Sequence, residues 1–209
     1  MNYLQPSEYE AYGLETTTAL SWVTAASAIV DAHCRRVTLA IAQYTERMRT
    51  ENLYRPVRLT YLPLCPLSPA TAPIVSARAR YAMPRRGEPV YEEMVSDVAL
   101  VFGIPGTWVD LNVGDLDVFE ETGEVTLPVS VMGWAFTEVE IVYTAGFDPF
   151  PEPIKVACAQ LVKNAQATPA LNVKKNVAPD GMQFWCFSDS LLDDTVQQLL
   201  APFVAQRVG

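Results

Sequence analysis

The stretch from Phe136 to Gln166 constrains the fold most, because a strand, a turn and a helix follow one another in it without a gap. Residues 138–144 alternate polar and apolar side chains until Val142 breaks the pattern, which predicts a strand with one face toward a core. That face consists of Val139, Ile141 and Tyr143. Gly146 and the prolines after it predict the end of the strand, since proline has no N–H to pair. A helix with one apolar stripe is then predicted from about Pro153 to Thr168.

Helices are also predicted near both ends of the chain. Pro6 to Gly13 is typical of a short helix with Ser7 as its cap, and a longer helix is predicted over residues 18–35. The apolar stripe of the longer helix is predicted to contain Ala19, Trp22, Val23, Ala26, Ile29, Val30 and His33. Its polar stripe is predicted to contain Thr24, Ser27, Asp31 and Arg35, with Asp31 and Arg35 able to pair. A last helix is predicted over residues 189–201, capped by Ser188 and Asp189 and ended near Ala201 by Pro202.

The middle of the chain loses helical periodicity and is rich in valine, tyrosine, threonine and proline. Strands are predicted near Ile41–Arg47, Val57–Leu62, Val75–Tyr81, Val95–Phe102, Val109, Asp117–Phe119, Glu124–Pro128 and Phe136–Thr144. Residues 120–123 are typical of a hairpin turn. The predicted fold class is therefore α+β, with a small helical bundle core from residues 1–36 and 145–209. Residues 37–144 are predicted to form a large β-rich insertion.

Composition excludes several classes of protein. No apolar run reaches membrane-spanning length, and the N-terminus lacks the basic and apolar regions of a signal peptide. We therefore expect the protein to stay in the cytoplasm unless it leaves inside a particle. None of the four cysteines, Cys34, Cys65, Cys158 and Cys186, forms a C-x-x-C pair, so we expect structural cysteines and no metal site.

No arrangement of residues indicates catalysis. His33, the one histidine, is followed by Cys34, but neighbours on a helix point about 100° apart and do not form a nucleophile–base pair. Residues 103–106 are too short for a phosphate-binding loop and lack its lysine. Acid pairs such as Asp115 and Asp117 are expected by chance among so many acids. We predict no enzyme activity, no catalytic residue and no cofactor.

Charge is strongly segregated along the chain. From Arg35 to Arg86 there are ten arginines and two acids, whereas from Gly87 to Ile154 there are fourteen acids and no base. The net charge of −9 disfavours nucleic-acid binding as the main function. We predict that the two segments meet between neighbouring subunits, with Arg78 and Arg80 among the contacts. The alternatives are that strands of opposite sign pair within the fold, or that the segments are two solvated faces.

Several motifs resemble the head-to-tail connector (adaptor) proteins of long-tailed bacteriophages and related gene-transfer particles. They are Val139-x-x-x-Tyr143-Thr144-Ala145-Gly146-Phe147, Pro153-Ile154-Lys155-x-Ala157, Leu4 with Tyr9 and Tyr12-Gly13-Leu14, Ala25-x-Ser27-x-x-x-Asp31-x-x-Cys34-Arg35, Tyr44-Thr45-Glu46-Arg47 and Ser190-Leu191-Leu192-Asp193. The resemblance covers both ends of the chain and is weak in the middle. Compact members of that family are mostly helical, so the β-rich insertion is a departure from it.

The resemblance implies a structural virion protein at the head–tail interface, assembled in the host cytoplasm. It implies a dodecameric ring that binds the portal protein, extends the DNA channel and receives a tail-completion or stopper protein. Genomic DNA would pass through without specific binding, in agreement with the acidic balance. Portal docking is expected at Phe203, Val204 and Arg207, from the resemblance and the kink at Pro202.

A further subunit contact is expected from residues too apolar for a free loop. These residues form a predicted interface arm that contains Val173, Val177, Met182, Phe184, Trp185 and Phe187.

Alternative functions are another neck component (a stopper or tail-completion protein), a cytoplasmic module whose β domain binds a ligand, and a hydrolase that uses buried acids.

Overall fold

The computed structural model describes residues 1–50, 56–81, 107–128, 136–167 and 191–205. The chain divides into two compact units, one of Met1–Ala40 with Asp148–Ala205 and one that contains Ile41–Phe147. The sequence predicts the boundaries between these units after residues 36 and 144, and the structure has them after residues 40 and 147. Both helices and antiparallel sheets are present, so the fold class is α+β. Within the described ranges, no helix is long and apolar enough to cross a membrane.

The first unit contains the α-helices of the described residues. They are α1 (Leu20–His33), α2 (Glu152–Ala167) and α3 (Asp194–Leu200). Short 3-10 turns lie at Pro6–Glu8, Glu10–Tyr12 and Ala201–Phe203. Helix α2 packs against both α1 and α3, so it is the central helix of this unit.

The apolar stripe predicted for α2 is confirmed. Its buried residues are Ile154, Ala157, Cys158, Ala159, Leu161 and Val162. They meet Val23, Ala26, Val30 and Cys34 from α1 and its end, and Val196 and Leu200 from α3, in the buried core. Burial raises the pKa of the Cys34 and Cys158 thiols to about 11, so both stay protonated near neutral pH. These two cysteines are core residues, as expected.

The stripe predicted for α1 is wrong at three positions. Ala19, which is predicted on the core side, is exposed. Trp22 was placed on the core side but is 44% exposed. Ser27 was placed on the polar side but is buried, where its hydroxyl donates to the Val23 carbonyl (2.8 Å) and accepts from the Tyr3 N–H (3.2 Å). When apolar residues occur on most sides of a helix, the periodicity of the sequence does not show which side faces the core.

Two predicted helix starts and one ion pair also need correction. Gln5, not Ser7, precedes the first turn, and it exchanges hydrogen bonds with Glu8. Helix α3 begins at Asp194, later than predicted, because the Asp193 carboxylate accepts from the Val196 N–H at 2.8 Å. Asp31 accepts from the Tyr3 hydroxyl rather than pairing with Arg35.

Two predicted helix ends are confirmed. Gly13 ends the first segment in the left-handed conformation, with φ 70°. Helix α3 ends at Leu200, and Pro202 lies in the following 3-10 turn.

The second unit consists of strands in two antiparallel sheets. The strands are β1 (Ala42–Arg49), β2 (Val57–Arg58), β3 (Ile74–Arg80), β4 (Val109–Leu111), β5 (Asp117–Phe119), β6 (Glu124–Thr126) and β7 (Glu138–Ala145). One sheet has the order β1-β7-β3-β4 and the other β2-β6-β5. The hairpin turn predicted between β5 and β6 is confirmed, with Gly123 at φ 67°. The strand predicted at Val95–Phe102 lies outside the described residues.

One hydrophobic core serves both sheets. Val139, Ile141 and Tyr143 of β7 are 0% exposed, as the alternation predicted. They cluster with Val57 and Val125 from the smaller sheet. The Tyr143 hydroxyl donates to the Glu46 carboxylate (3.0 Å) and accepts from the Tyr61 N–H (3.1 Å), so this buried polar group has partners on both sides.

Two tyrosine substitutions should differ in their effect on stability. Tyr143→Phe leaves the Tyr61 N–H and a Glu46 oxygen without their partner, and we expect it to lower the free energy of unfolding by about 1–3 kcal/mol. Tyr9 is 2% exposed, and its hydroxyl has no hydrogen-bond partner in the described parts of the chain. Tyr9→Phe should therefore be neutral or stabilising. Urea denaturation measures both; equal losses would contradict the network around Tyr143.

Candidate functional site

A cluster of arginines and glutamates lies on the outer face of the four-stranded sheet. The alternation that turns Val139 and Ile141 of β7 to the core turns Glu138 and Glu140 to the opposite face. The antiparallel register places Arg80 of β3 beside Glu138 and Arg78 beside Glu140. On the other side of β7, β1 brings Arg47 beside Glu140 and Arg49 beside Glu138. Strand pairing therefore places arginines on both sides of the two glutamates.

Glu138 is the centre of this cluster and is only 4% exposed. One of its oxygens accepts from Arg47 Nε and the other from Arg80 Nε, each at 2.6 Å. The hydrogen bond from Arg47 and then that from Arg80 hold the pKa of Glu138 below its usual value. The carboxylate is thus ionised at neutral pH and is not a proton donor there. Glu140 binds Arg78 through Nε (2.9 Å) and Nη2 (2.7 Å).

Trp108 covers the same face. It directly precedes β4, whose Val109 pairs with Ala79 of β3. The guanidinium carbons of Arg47, Arg78 and Arg80 lie 5.4, 4.9 and 4.6 Å from the centroid of a Trp108 ring. Such distances permit cation–π attraction. We name Arg47, Arg78, Arg80, Trp108, Glu138 and Glu140 the charged face.

The charged face has little unbalanced charge. The strand register also places Arg49 beside Glu138 and Asp110 beside Arg78, so four arginines meet three acids. The side chains of Arg47 and Arg78 remain 50% and 46% exposed. Arginine and tryptophan are the residues that contribute most at protein–protein interfaces. The arrangement suits the binding of carboxylates from another protein surface.

The predicted charged contacts, Arg78 and Arg80, already have partners within the chain, because they bind Glu140 and Glu138. These contacts agree with the alternative prediction, in which strands of opposite charge pair within the fold. A contact of these arginines with a neighbouring subunit stays a prediction. It would depend on Arg78 more than on Arg80, whose side chain is 22% exposed.

The predicted docking residues Phe203 and Val204 are half-buried, and Arg207 lies outside the described residues. The kink at Pro202 was expected to free this end of the chain, and that argument is wrong as far as Ala205. The Ala205 N–H donates to the Cys34 carbonyl at 3.0 Å, and Ala205 is buried. This hydrogen bond holds the chain against the end of α1.

The interface arm, with Val173, Val177, Met182, Phe184, Trp185 and Phe187, also lies outside the described residues. The residues that flank it are in contact with each other. Asn164 Nδ2 donates to the Leu191 carbonyl and to the Asp193 carboxylate, both at 3.2 Å.

Sequence reasoning missed Trp108 and Glu138 as parts of a site. The available signal was the alternation of Arg78 and Arg80 on one strand with Glu138 and Glu140 on another. Only the register between those strands shows that they meet.

Metal binding and known relatives add no further assignment. In the ranges that the structure describes, no group of three or more His, Cys, Asp and Glu side chains could hold a metal ion. No protein-family model matches the chain, and comparison with curated proteins finds no match.

Proposed function

We propose that this chain is a head–tail adaptor of a long-tailed bacteriophage or a related gene-transfer particle. It forms a ring under the portal, extends the DNA channel and joins the capsid to the tail. One observation supports this most. Four of the six motifs that carry the resemblance lie in the first unit, with Tyr9, Leu14 and Cys34 in the same compact unit as Ile154 and Ala157. The other two motifs, at residues 44–47 and 139–147, lie in the second unit.

Specific contacts join these motifs. The Tyr12 hydroxyl donates to Glu152, at the start of α2, at 2.5 Å. Lys155 Nζ donates to Glu8, next to the motif residue Tyr9, also at 2.5 Å. Ser27 Oγ lies 3.7 Å from Cys158 Sγ, which brings α1 and α2 together at a third point. Residues more than a hundred positions apart thus belong to one packed unit, which supports reading their motifs together.

The finer features of the proposal follow from this core. We assign the first unit as a small helical bundle in which α1 and α3 pack on α2. Twelve copies form the ring, with the portal on one side and a tail-completion or stopper protein on the other. The net charge of −9 supports a channel that lets DNA pass without gripping its phosphates. The role is structural, without cofactor or catalysis, at the virion neck.

Particle size is the direct test. The purified chain is measured by light scattering at several concentrations, alone and with the portal protein encoded in the same genome. We expect a ring of twelve subunits, either free or formed on the portal, and electron microscopy should show it as a collar around the portal. A stable monomer that never binds portal would exclude this function, and sugar binding by that monomer would favour the ligand-binding alternative.

Portal docking by the C-terminal residues predicts a selective defect. Deletion of residues 206–209 removes Arg207 but keeps Ala205 and its hydrogen bond to Cys34. We expect an unchanged thermal denaturation midpoint and at least tenfold weaker binding to immobilised portal. Phe203→Ala should weaken the same binding. If both variants bind portal as the unmodified chain does, the docking surface lies elsewhere.

A further inference from the structure

Two exposed surfaces of the second unit have opposite charge. One is the charged face, where the strand register leaves one more arginine than acids. Within the described ranges, Arg47 donates a hydrogen bond only to Glu138, through Nε, so its two Nη atoms are available to another acceptor. The second surface is the tip of the β5–β6 hairpin, where Phe119, Glu120 and Glu121 are exposed. We name these three residues the acidic tip.

The side chains of the acidic tip are available for binding. Neither of its two carboxylates forms an ion pair or a hydrogen bond in the described part of the chain. Arg58, the arginine beside this hairpin, donates its Nε to the Thr122 carbonyl instead. Val118 pairs with the buried Val125, so its neighbour Phe119 lies on the opposite face of the small sheet and is 57% exposed. The acidic tip thus offers two carboxylates and an aromatic ring.

The charged face and the acidic tip lie on opposite sides of one hydrophobic core. Val139 and Ile141 of the four-stranded sheet meet Val57 and Val125 of the smaller sheet in that core. The charged face is on the other side of the four-stranded sheet, whereas the acidic tip belongs to the smaller sheet. The two surfaces of one copy are therefore separated by the core and do not bind each other.

We infer that the acidic tip of one copy binds the charged face of the next copy. The inference rests on the proposed function, since a closed ring needs two different surfaces of each subunit to meet. The carboxylates accept hydrogen bonds from Arg47 and from Arg78, whose side chain is 46% exposed, and Phe119 packs on the guanidinium groups. Every copy has both halves of this contact, and the core keeps them apart within the copy. Charge complementarity and position together therefore select a second copy as the partner.

Removal of the two carboxylate charges tests this contact. Glu120→Gln with Glu121→Gln keeps the shape of the tip and removes no contact within the described chain. Exposed charges act mainly on the rate of encounter, so we expect ring formation on portal to be at least tenfold slower at low salt. Added salt should slow the unmodified chain toward the same rate. Glu10→Gln with Glu15→Gln makes the same change in net charge at exposed positions of the first unit and should have no effect.

Cross-linking of two differently substituted copies tests which surfaces meet. Ser76→Cys places a thiol on the same side of β3 as Arg78, and Thr122→Cys places one beside the acidic tip; both positions are exposed. A short bismaleimide should join these two copies in a mixture with portal. Neither copy alone should give more product than the unmodified chain, whose own cysteines set the background. Thr16→Cys, at an exposed position of the first unit, takes the place of Thr122→Cys in the control mixture and should not cross-link to Ser76→Cys.

The outcomes separate this contact from the proposed function. Rings that form without the cross-link, or that the double glutamine variant forms as fast as the unmodified chain, would overturn the inference and leave the proposed function intact. An unmodified chain that forms no ring, with or without portal, would overturn both. Equal cross-linking in the control mixture would show a non-specific contact, and normal rings that no longer bind portal would make portal the partner of the acidic tip. Each of these two results also overturns the inference.

Discussion

Replacing Leu161 with aspartate is expected to prevent the formation of soluble folded protein. Leu161 is 1% exposed on α2, the helix that packs against both α1 and α3. An unpaired carboxylate there costs several kcal/mol, which is comparable to the roughly 5–15 kcal/mol by which whole domains are stable. The helical unit should therefore lose its core.

Two further substitutions make the Leu161 result interpretable. Val156→Asp adds the same charge to the same helix at a position that is 41% exposed, and it should leave the soluble yield nearly unchanged. Leu161→Ala should fold but lose about 2–5 kcal/mol of unfolding free energy, measured by urea denaturation. A soluble Leu161→Asp protein with an unchanged urea midpoint would refute the assignment of this core.

The second large effect is expected at Glu138 of the charged face. Glu138→Gln keeps the shape of the side chain but removes the negative charge that Arg47 and Arg80 share. Hydrogen bonds to charged groups contribute about 1.5–3 kcal/mol, so we expect a loss of that size at pH 7. Glu121→Gln, in the exposed hairpin turn, serves as the control and should cost little.

The effect of Glu138 should depend on pH. Its pKa is lower in the folded chain than in the unfolded chain, where a glutamate titrates near about 4.3. Between those two pKa values the unfolded state binds more protons, so acid favours unfolding. The contribution of Glu138 is complete above the unfolded pKa and is lost as pH falls through the folded pKa. Urea denaturation at pH 7, 5 and 3.5 should show the gap to Glu138→Gln narrowing; a constant gap would mean that the carboxylate charge is not involved.

The sequence was sufficient to predict the buried side of an element that has one clearly apolar face. Helix α2 has lysines on one side and a continuous apolar stripe on the other, and β7 has Val139, Ile141 and Tyr143 at alternate positions. In both, one orientation buries mainly apolar side chains, and the buried Glu138 of β7 is paired with Arg47 and Arg80. Helix α1 lacks that contrast, which is why Trp22 and Ser27 were placed on the wrong sides.

Features that depend on contacts between distant residues could not be read in the same way. Asp193 caps α3. Ser188 and Asp189 are equally good caps by residue type, so the sequence alone could not identify which residue precedes the helix. The charged face joins Arg47 to Glu138 across 91 positions and Arg80 to Glu138 across 58. Composition showed the two signs of charge, but only the strand register decides which side chains meet.

The order of strands in the larger sheet has a consequence for synthesis on the ribosome. Strand β7 lies between β1 and β3, yet it is the last of the three to be made. Until Ala145 has left the ribosome, β1 lacks its partner strand and β3 can pair only with β4. Unpaired strand edges readily bind other chains. The first unit also waits, since α2 and α3 follow β7. A nascent chain of this protein thus carries unpaired strand edges from the synthesis of Arg49 until that of Ala145, and neither unit can complete its fold before then.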